Sequence, residues 1–164
     1  ILWRHAEAEE GSDDMQRALT RRGQKQASAM AAWLRKQLPD DFALLASEAL
    51  RSQQTAALFA KSYEVVPALN PDASVEQVLN AIDWPRSGKT IVLVGHQPYI
   101  GRLAATLMSE QPLLWSVKKG AIWWLSHRER HGIEVEVYGV AALSAAARTK
   151  QGTAPRWTST CPPS

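Results

Sequence analysis

Three short stretches of this sequence hold the residues able to do chemistry. Arg4 and His5 follow the apolar Ile1-Leu2-Trp3, Ser47 and Arg51 follow the apolar run over residues 42–46, and His96 follows Ile91-Val92-Leu93-Val94-Gly95. Neighbouring cations such as Arg4 and His5 repel one another unless an anion sits between them. Two guanidinium groups and two imidazoles suit a phosphoryl group best. Guanidinium binds phosphate oxygens bidentately, and a neutral imidazole has a lone pair that can attack phosphorus in line. The product would be a phosphohistidine, which water then hydrolyses.

His5 is the candidate nucleophile. Arg4 and Arg51 would depress its pKa by repelling the protonated form, and would hold charge on the transferring oxygens. His96 is expected to donate hydrogen bonds to those oxygens, and to stabilise their charge if protonated. Backbone N–H groups near Gln97, at the start of a predicted helix, would add neutral donors. Glu7 is close enough in the chain to orient a pocket residue or handle a proton, whereas Glu9 and Glu10 read as solvated loop. Taken singly, each of these residues has a plainer explanation, as a packed histidine or a surface ion pair. Their joint placement after predicted strands is what argues for a site.

Strands alternating with helices must position them. Apolar residues at Ala27, Met30, Ala31, Leu34 and Leu38 keep helical spacing behind Thr20, a candidate N-cap, and Pro39 closes that helix. A second helix is predicted over residues 49–61 and a brief strand over 64–66. Ser74 and Gln77 have capping-box spacing, with Val75, Val78, Leu79 and Ile82 as the apolar stripe behind them. The unbroken run over 91–94 predicts a central strand covered on both faces. Pro98 suits a first helical turn, followed by Ile100, Leu103, Ala104, Leu107 and Met108. Residues 120–126 and 133–138 read as an antiparallel pair joined by a polar turn. The expected fold is α/β: a three-layer α/β/α sandwich with a mostly parallel central sheet. In such sheets ligands bind at the carboxyl ends of the strands, so Arg4, His5, Arg51 and His96 converge there.

With 164 residues, 45% of them hydrophobic, the chain can bury one core. A single domain is expected over residues 1–145, with a poorly ordered tail over 146–164. A first strand as short as Ile1-Leu2-Trp3 implies that a few residues precede it. The net charge of +3 comes from scattered basic residues, which argues against a nucleic-acid partner. Cys161 is the lone cysteine, so no internal disulfide forms, and a cytoplasmic location is expected. No apolar run nears the roughly 18 residues of a membrane span.

Four features invite functional readings that their contexts weaken. Ser87-Gly88-Lys89-Thr90 resembles the end of a phosphate-binding loop, but Asp83 stands where the motif needs glycine, and a strand follows it where a helix is required. His127 and His131 have i, i+4 spacing, yet they fall in a predicted turn and are expected to be solvated. Cys161 echoes a prenylation signal whose aliphatic pair is replaced by prolines. Trp123 and Trp124 should face opposite sides of a strand, one of them in the core.

Four stretches together resemble the histidine phosphatase superfamily, and its small SixA-type phosphohistidine phosphatases in particular: residues 2–8 (LWRHAEA), Arg17-Ala18-Leu19-Thr20 with Gly23, residues 47–56 (SEALRSQQTA), and Val94-Gly95-His96-Gln97-Pro98. The resemblance covers residues 1–138. It implies a phosphoglycerate-mutase-like sandwich, His5 as phosphoryl acceptor, and Arg4, Arg51 and His96 completing the phosphate pocket; Ser47, Gln97 and Glu7, beside them in the chain, are expected as further substrate contacts. It implies no metal and no cofactor. Ala6 replaces the commoner glycine, and Glu48-Ala49 stand where the family usually has Pro-Leu. Larger relatives carry an acidic proton donor in a segment that is short here, where Asp72 is the one obvious candidate. Sugar alkoxides need that proton to leave, whereas an imidazole protonated at its distal nitrogen does not. The expected substrate is therefore phosphohistidine on a partner protein. Small phosphomonoesters, or a non-catalytic phosphate-recognition module, are the alternatives.

Overall fold

The computed structural model describes residues 1–130 and 133–138. Strands β1 (Leu2–Arg4), β2 (Ala43–Ala46), β3 (Glu64–Val65), β4 (Ile91–Gly95) and β5 (Ile122–Trp123) form one sheet in the order β3-β2-β4-β1-β5. The first four run parallel and β5 is antiparallel to β1. Alternation along each strand separates two cores. Trp3, Leu44, Ala46, Val92 and Val94 face Met30 and Leu34 of α1 (Arg21–Gln37) and Phe59 of α2 (Leu50–Phe59). Leu2, Leu45 and Leu93 face Val78 and Ile82 of α3 (Val75–Ile82) and Ile100 and Leu103 of α4 (Tyr99–Ser109). The result is the expected three-layer α/β/α sandwich, with β4 central and buried on both faces.

The helix starts follow from local chemistry. Thr20 Oγ1 accepts from Gly23 N at 2.9 Å and donates to Glu7 Oε1 at 2.9 Å, tying α1 to the loop after His5. Only glycine fits at residue 23, because a Cβ there would lie 2.0 Å from the Glu7 carbonyl oxygen. Ser74 and Gln77 form the reciprocal capping box at α3.

The expected strand over 120–126 divides in two. Residues 122–123 close the edge of the main sheet, whereas β6 (Ser126–Arg130) pairs with β7 (Ile133–Tyr138) in a separate hairpin. The division coincides with two adjacent tryptophans drawn to different cores: Trp123 packs against Trp115 and Trp124 against Trp33. Neither is fully buried. His127 is not in a solvated turn but in β6, its ring edge-on to Trp84 at 5.8 Å. Residues 87–90 form a turn leading into β4, with Gly88 at φ +64. His131, Cys161 and the tail over 146–164 lie outside the described residues.

Candidate active site

β1, β4 and β2 are neighbours that point the same way, so their carboxyl ends deliver three loops to one place. Arg4 ends β1 opposite Gly95 of β4, and His5 N donates to Gly95 O at 3.1 Å. Ser47 follows β2, Arg51 lies in the first turn of α2, and His96 follows β4 just ahead of α4. A crevice of about 800 Å³ opens there, lined by Arg4, His5, Arg51 and His96 together with Asp14, Arg17, Asp72, Gln97 and Lys119. The four residues singled out from sequence thus share one cavity. The amino ends of α2 and α4 face this same edge, and helix N-termini favour anions.

The hydrogen bonds of His5 define its tautomer. Nδ1 lies 2.7 Å from the Ala6 carbonyl, an acceptor only, so Nδ1 carries the proton and Nε2 keeps the lone pair. Arg51 Nε approaches that Nε2 at 3.4 Å. Burial, with Arg51, Arg4 and Lys119 nearby, holds the His5 pKa at about 4 even though the Ala6 contact favours the charged form. At neutral pH the imidazole is uncharged.

Arg51 is only 3% exposed and uses its guanidinium on two sides. Its terminal amino groups donate to the Asp14 main-chain oxygen and, at 3.0 Å, to Asp14 Oδ2, while Nε faces His5. The Nε side of the guanidinium is therefore turned toward His5 Nε2. Arg17 in turn donates to Asp14 Oδ1 at 2.8 Å, and the two arginines keep the Asp14 carboxyl below its usual pKa. Arg4 Nη1 donates to Val117 O at 2.7 Å, whereas its Nε is buried without a partner. Burial and the neighbouring Arg51 lower its pKa from the ordinary value.

His96 is nearly fully buried, its ring centroid 5.0 Å from that of His5. Its Nε2 lies 2.6 Å from Ser47 Oγ, which accepts from Ala49 N at 3.2 Å. That leaves the Ser47 proton for His96 Nε2, so the proton of the neutral ring sits on Nδ1, which has no partner. Burial, then the nearby His5 and Arg51, push the His96 pKa down to about 2, so the ring is neutral at pH 7.

Three expected contacts are committed elsewhere. Ser47 is fully buried and touches His96 instead of the crevice. Gln97 borders the crevice, but its amide donates to Trp115 O at 2.9 Å and accepts from Gly101 N at 2.8 Å. Glu7 is bound to Thr20 at the start of α1 and is absent from the crevice lining. Conversely, Asp14 and Lys119 line it without having been singled out. Asp14 looked like one acid among several in a polar loop, and Lys119 comes from a segment without periodicity.

The model of the histidine phosphatase superfamily (branch 1) matches residues 1–74. An uncharacterised protein of Mycobacterium tuberculosis is 33% identical over 113 residues, spanning 65% of this chain and 70% of that one. A structure provisionally described as the phosphohistidine phosphatase SixA of Nakamurella multipartitia superposes with a TM-score of 0.70 at 26% identity, covering 85% of this chain and 94% of that one. The protein histidine phosphatase SixA in complex with tungstate gives 0.69 at 26% identity, covering 86% and 94%. The opening motif, the strand order and these likenesses converge: the chain belongs to the histidine phosphatase superfamily and is a phosphatase.

Proposed function

We propose that this phosphatase is metal-independent, and that it removes phosphoryl groups from phosphohistidine on a partner protein through a covalent intermediate on His5. The observation that carries the reading is the His5 tautomer: Nδ1 is anchored on Ala6 O, so the lone pair is on Nε2, where it accepts a long 3.4 Å hydrogen bond from Arg51 Nε that an incoming phosphoryl group would replace. In the first step the Nε2 lone pair attacks phosphorus and the P–N bond to the substrate imidazole breaks. Its electron pair returns to the leaving ring, which departs neutral because its other nitrogen carries a proton. His5, still protonated at Nδ1, is then a phosphoimidazolium and a good leaving group. Water attacks phosphorus in the second step, the P–Nε2 bond breaks, and orthophosphate and a proton are released.

Arg4 and Arg51 would hold the equatorial oxygens, with His96 Nδ1–H as a neutral donor. Asp14 bears on the substrate class. Two arginines hold it ionised, so Asp14 has no proton for an alkoxide leaving group, which leaves Asp72 as the one crevice carboxyl that a phosphomonoester reading would need as its acid. The abundance of cations, with Arg4, Arg17, Arg51 and Lys119 around the crevice, disfavours a bound divalent metal there. Tungstate in a SixA neighbour is a tetrahedral oxyanion, the shape expected to fit this crevice.

The test is incubation of wild type and His5→Ala with a histidine-phosphorylated protein and with p-nitrophenyl phosphate, in EDTA. The expected result is turnover of the phosphoprotein and an acid-labile phosphoenzyme, both lost in His5→Ala. Turnover that needs added metal would refute metal independence. Hydrolysis of p-nitrophenyl phosphate alone would favour small phosphomonoesters, and phosphate binding without turnover would favour a recognition module.

A further inference from the structure

We infer that Leu113 and Leu114, with the lysines that follow, form the docking surface for the protein that carries the phosphohistidine; this rests on the function proposed above. Among residues 1–127 four large apolar side chains are exposed, and two of them, Leu113 (45%) and Leu114 (73%), are adjacent in the chain. Single exposed apolar residues are ordinary, but an adjacent pair beside a reactive site marks an interaction surface.

The pair is tied to the crevice through the backbone that follows it. Trp115 O accepts from Gln97 Nε2, a residue of the crevice rim, and lies so close to Gly101 that a Cβ there would be 1.8 Å away. Val117 O accepts from Arg4, and Gly120 N donates to both Arg4 O and His5 O. Lys119 of the same segment lines the crevice itself. Consecutive Cα atoms are about 3.8 Å apart, so Leu114 sits one residue from the carbonyl that holds the rim.

A small phosphate ester gripped by Arg4 and Arg51 has no use for such a surface. A phosphohistidine projecting from a folded domain brings that domain's own surface onto the rim. The lysines, Lys118 and Lys119, lie on the crevice side of the leucine pair, and the one carboxylate nearby, Glu110, lies on its other side, so the partner should present an apolar patch with acidic residues toward its phosphohistidine.

The experiment compares wild type, the double variant Leu113→Ser/Leu114→Ser and the single variant Lys118→Glu, with a histidine-phosphorylated phosphotransfer protein and with p-nitrophenyl phosphate. For the phosphoprotein, KM should rise about tenfold in the double variant and kcat/KM should lose much of its salt dependence in Lys118→Glu. Turnover of p-nitrophenyl phosphate should stay within about twofold and the melting temperature should be unchanged. Unchanged phosphoprotein kinetics, or an equal fall with both substrates, overturns the docking surface. So does a wild-type dimer that the double variant dissociates without altering KM, because the occupant would then be a second copy of the chain. A wild type inactive on the phosphoprotein overturns the proposed function, and the docking surface with it.

Discussion

The two edges of the central sheet hold similar residue types and do different things. At the carboxyl edge lie Arg4, His5, Arg51 and His96 around an open, cation-rich crevice. At the opposite edge lies the Ser87-Gly88-Lys89-Thr90 stretch, where Gly88, Lys89 and Thr90 line a cavity of about 830 Å³ with Pro39, Trp84, Trp124 and His127. A glycine and basic residues are available at both. The difference is direction. Parallel strands deliver β1, β2 and β4 to one edge, which the positive ends of α2 and α4 face. The other edge receives the ends of α1 and α3, whose carbonyls repel anions. A phosphate-like motif in sequence is thus worth little until its edge is known.

Replacing a reactive group should break this comparison hardest. His5→Ala should cut kcat by about 10⁴-fold or more, whereas Lys89→Ala should change it by less than about twofold. Steady-state assays on both variants check this, and a comparable loss in Lys89→Ala would erase the distinction between the edges. Arg51→Lys keeps the charge but loses the planar edge facing His5 Nε2, and should lower kcat by about 10²-fold. Lysine restoring full activity would show that charge alone matters there. A smaller loss, of about tenfold, is expected for Ser47→Ala, with recovery in Ser47→Thr. Nitrogen NMR of His96 should show the ring proton leaving Nδ1 in the alanine variant; an unchanged tautomer would remove Ser47 from any positioning role.

The smallest effect sharpens the comparison through pH. The His5 and His96 pKa values, about 4 and about 2, lie below the 6.5 of an unfolded chain. Below pH 6.5 the unfolded state therefore binds protons that the folded site refuses, and stability falls with pH by up to about 1.4 kcal/mol per unit for each histidine. His5 stops contributing near pH 4, while His96 continues toward about 2. Urea midpoints at pH 7, 6 and 5 should fall less steeply in His96→Gln than in wild type; equal slopes would mean that the site does not suppress His96 protonation.

Much of the fold is legible because its signals are local. Thr20 caps α1 through its own hydroxyl, Ser74 and Gln77 complete their box within four residues, and the unbroken apolar run after Thr90 needs cover on both faces. The places where expectation and structure part are long-range. Ser47 was placed near the crevice by its strand end, but only packing shows its hydroxyl spent on His96, 49 residues away. Gln97 and Glu7 stand beside reactive residues in the chain, yet Trp115 and Thr20 take up their side chains. The strand over 120–126 divides where Trp123 and Trp124 find partners that periodicity does not reveal.

By itself the sequence determined which residue types carry the chemistry and that they follow parallel strands, because strand periodicity and helix caps are written within a few residues. Only the tertiary structure decided which atoms react and what holds them. His5 turns Nε2 into the crevice because Ala6 O takes Nδ1, and Arg51 turns an edge toward it because Asp14, 37 residues earlier, takes its terminal nitrogens. The same holds for the rim, where Gln97 and Arg4 donate to the main chain of Trp115 and Val117, just after an exposed leucine pair. Contacts of this kind depend on how the layers stack, and no local pattern encodes them.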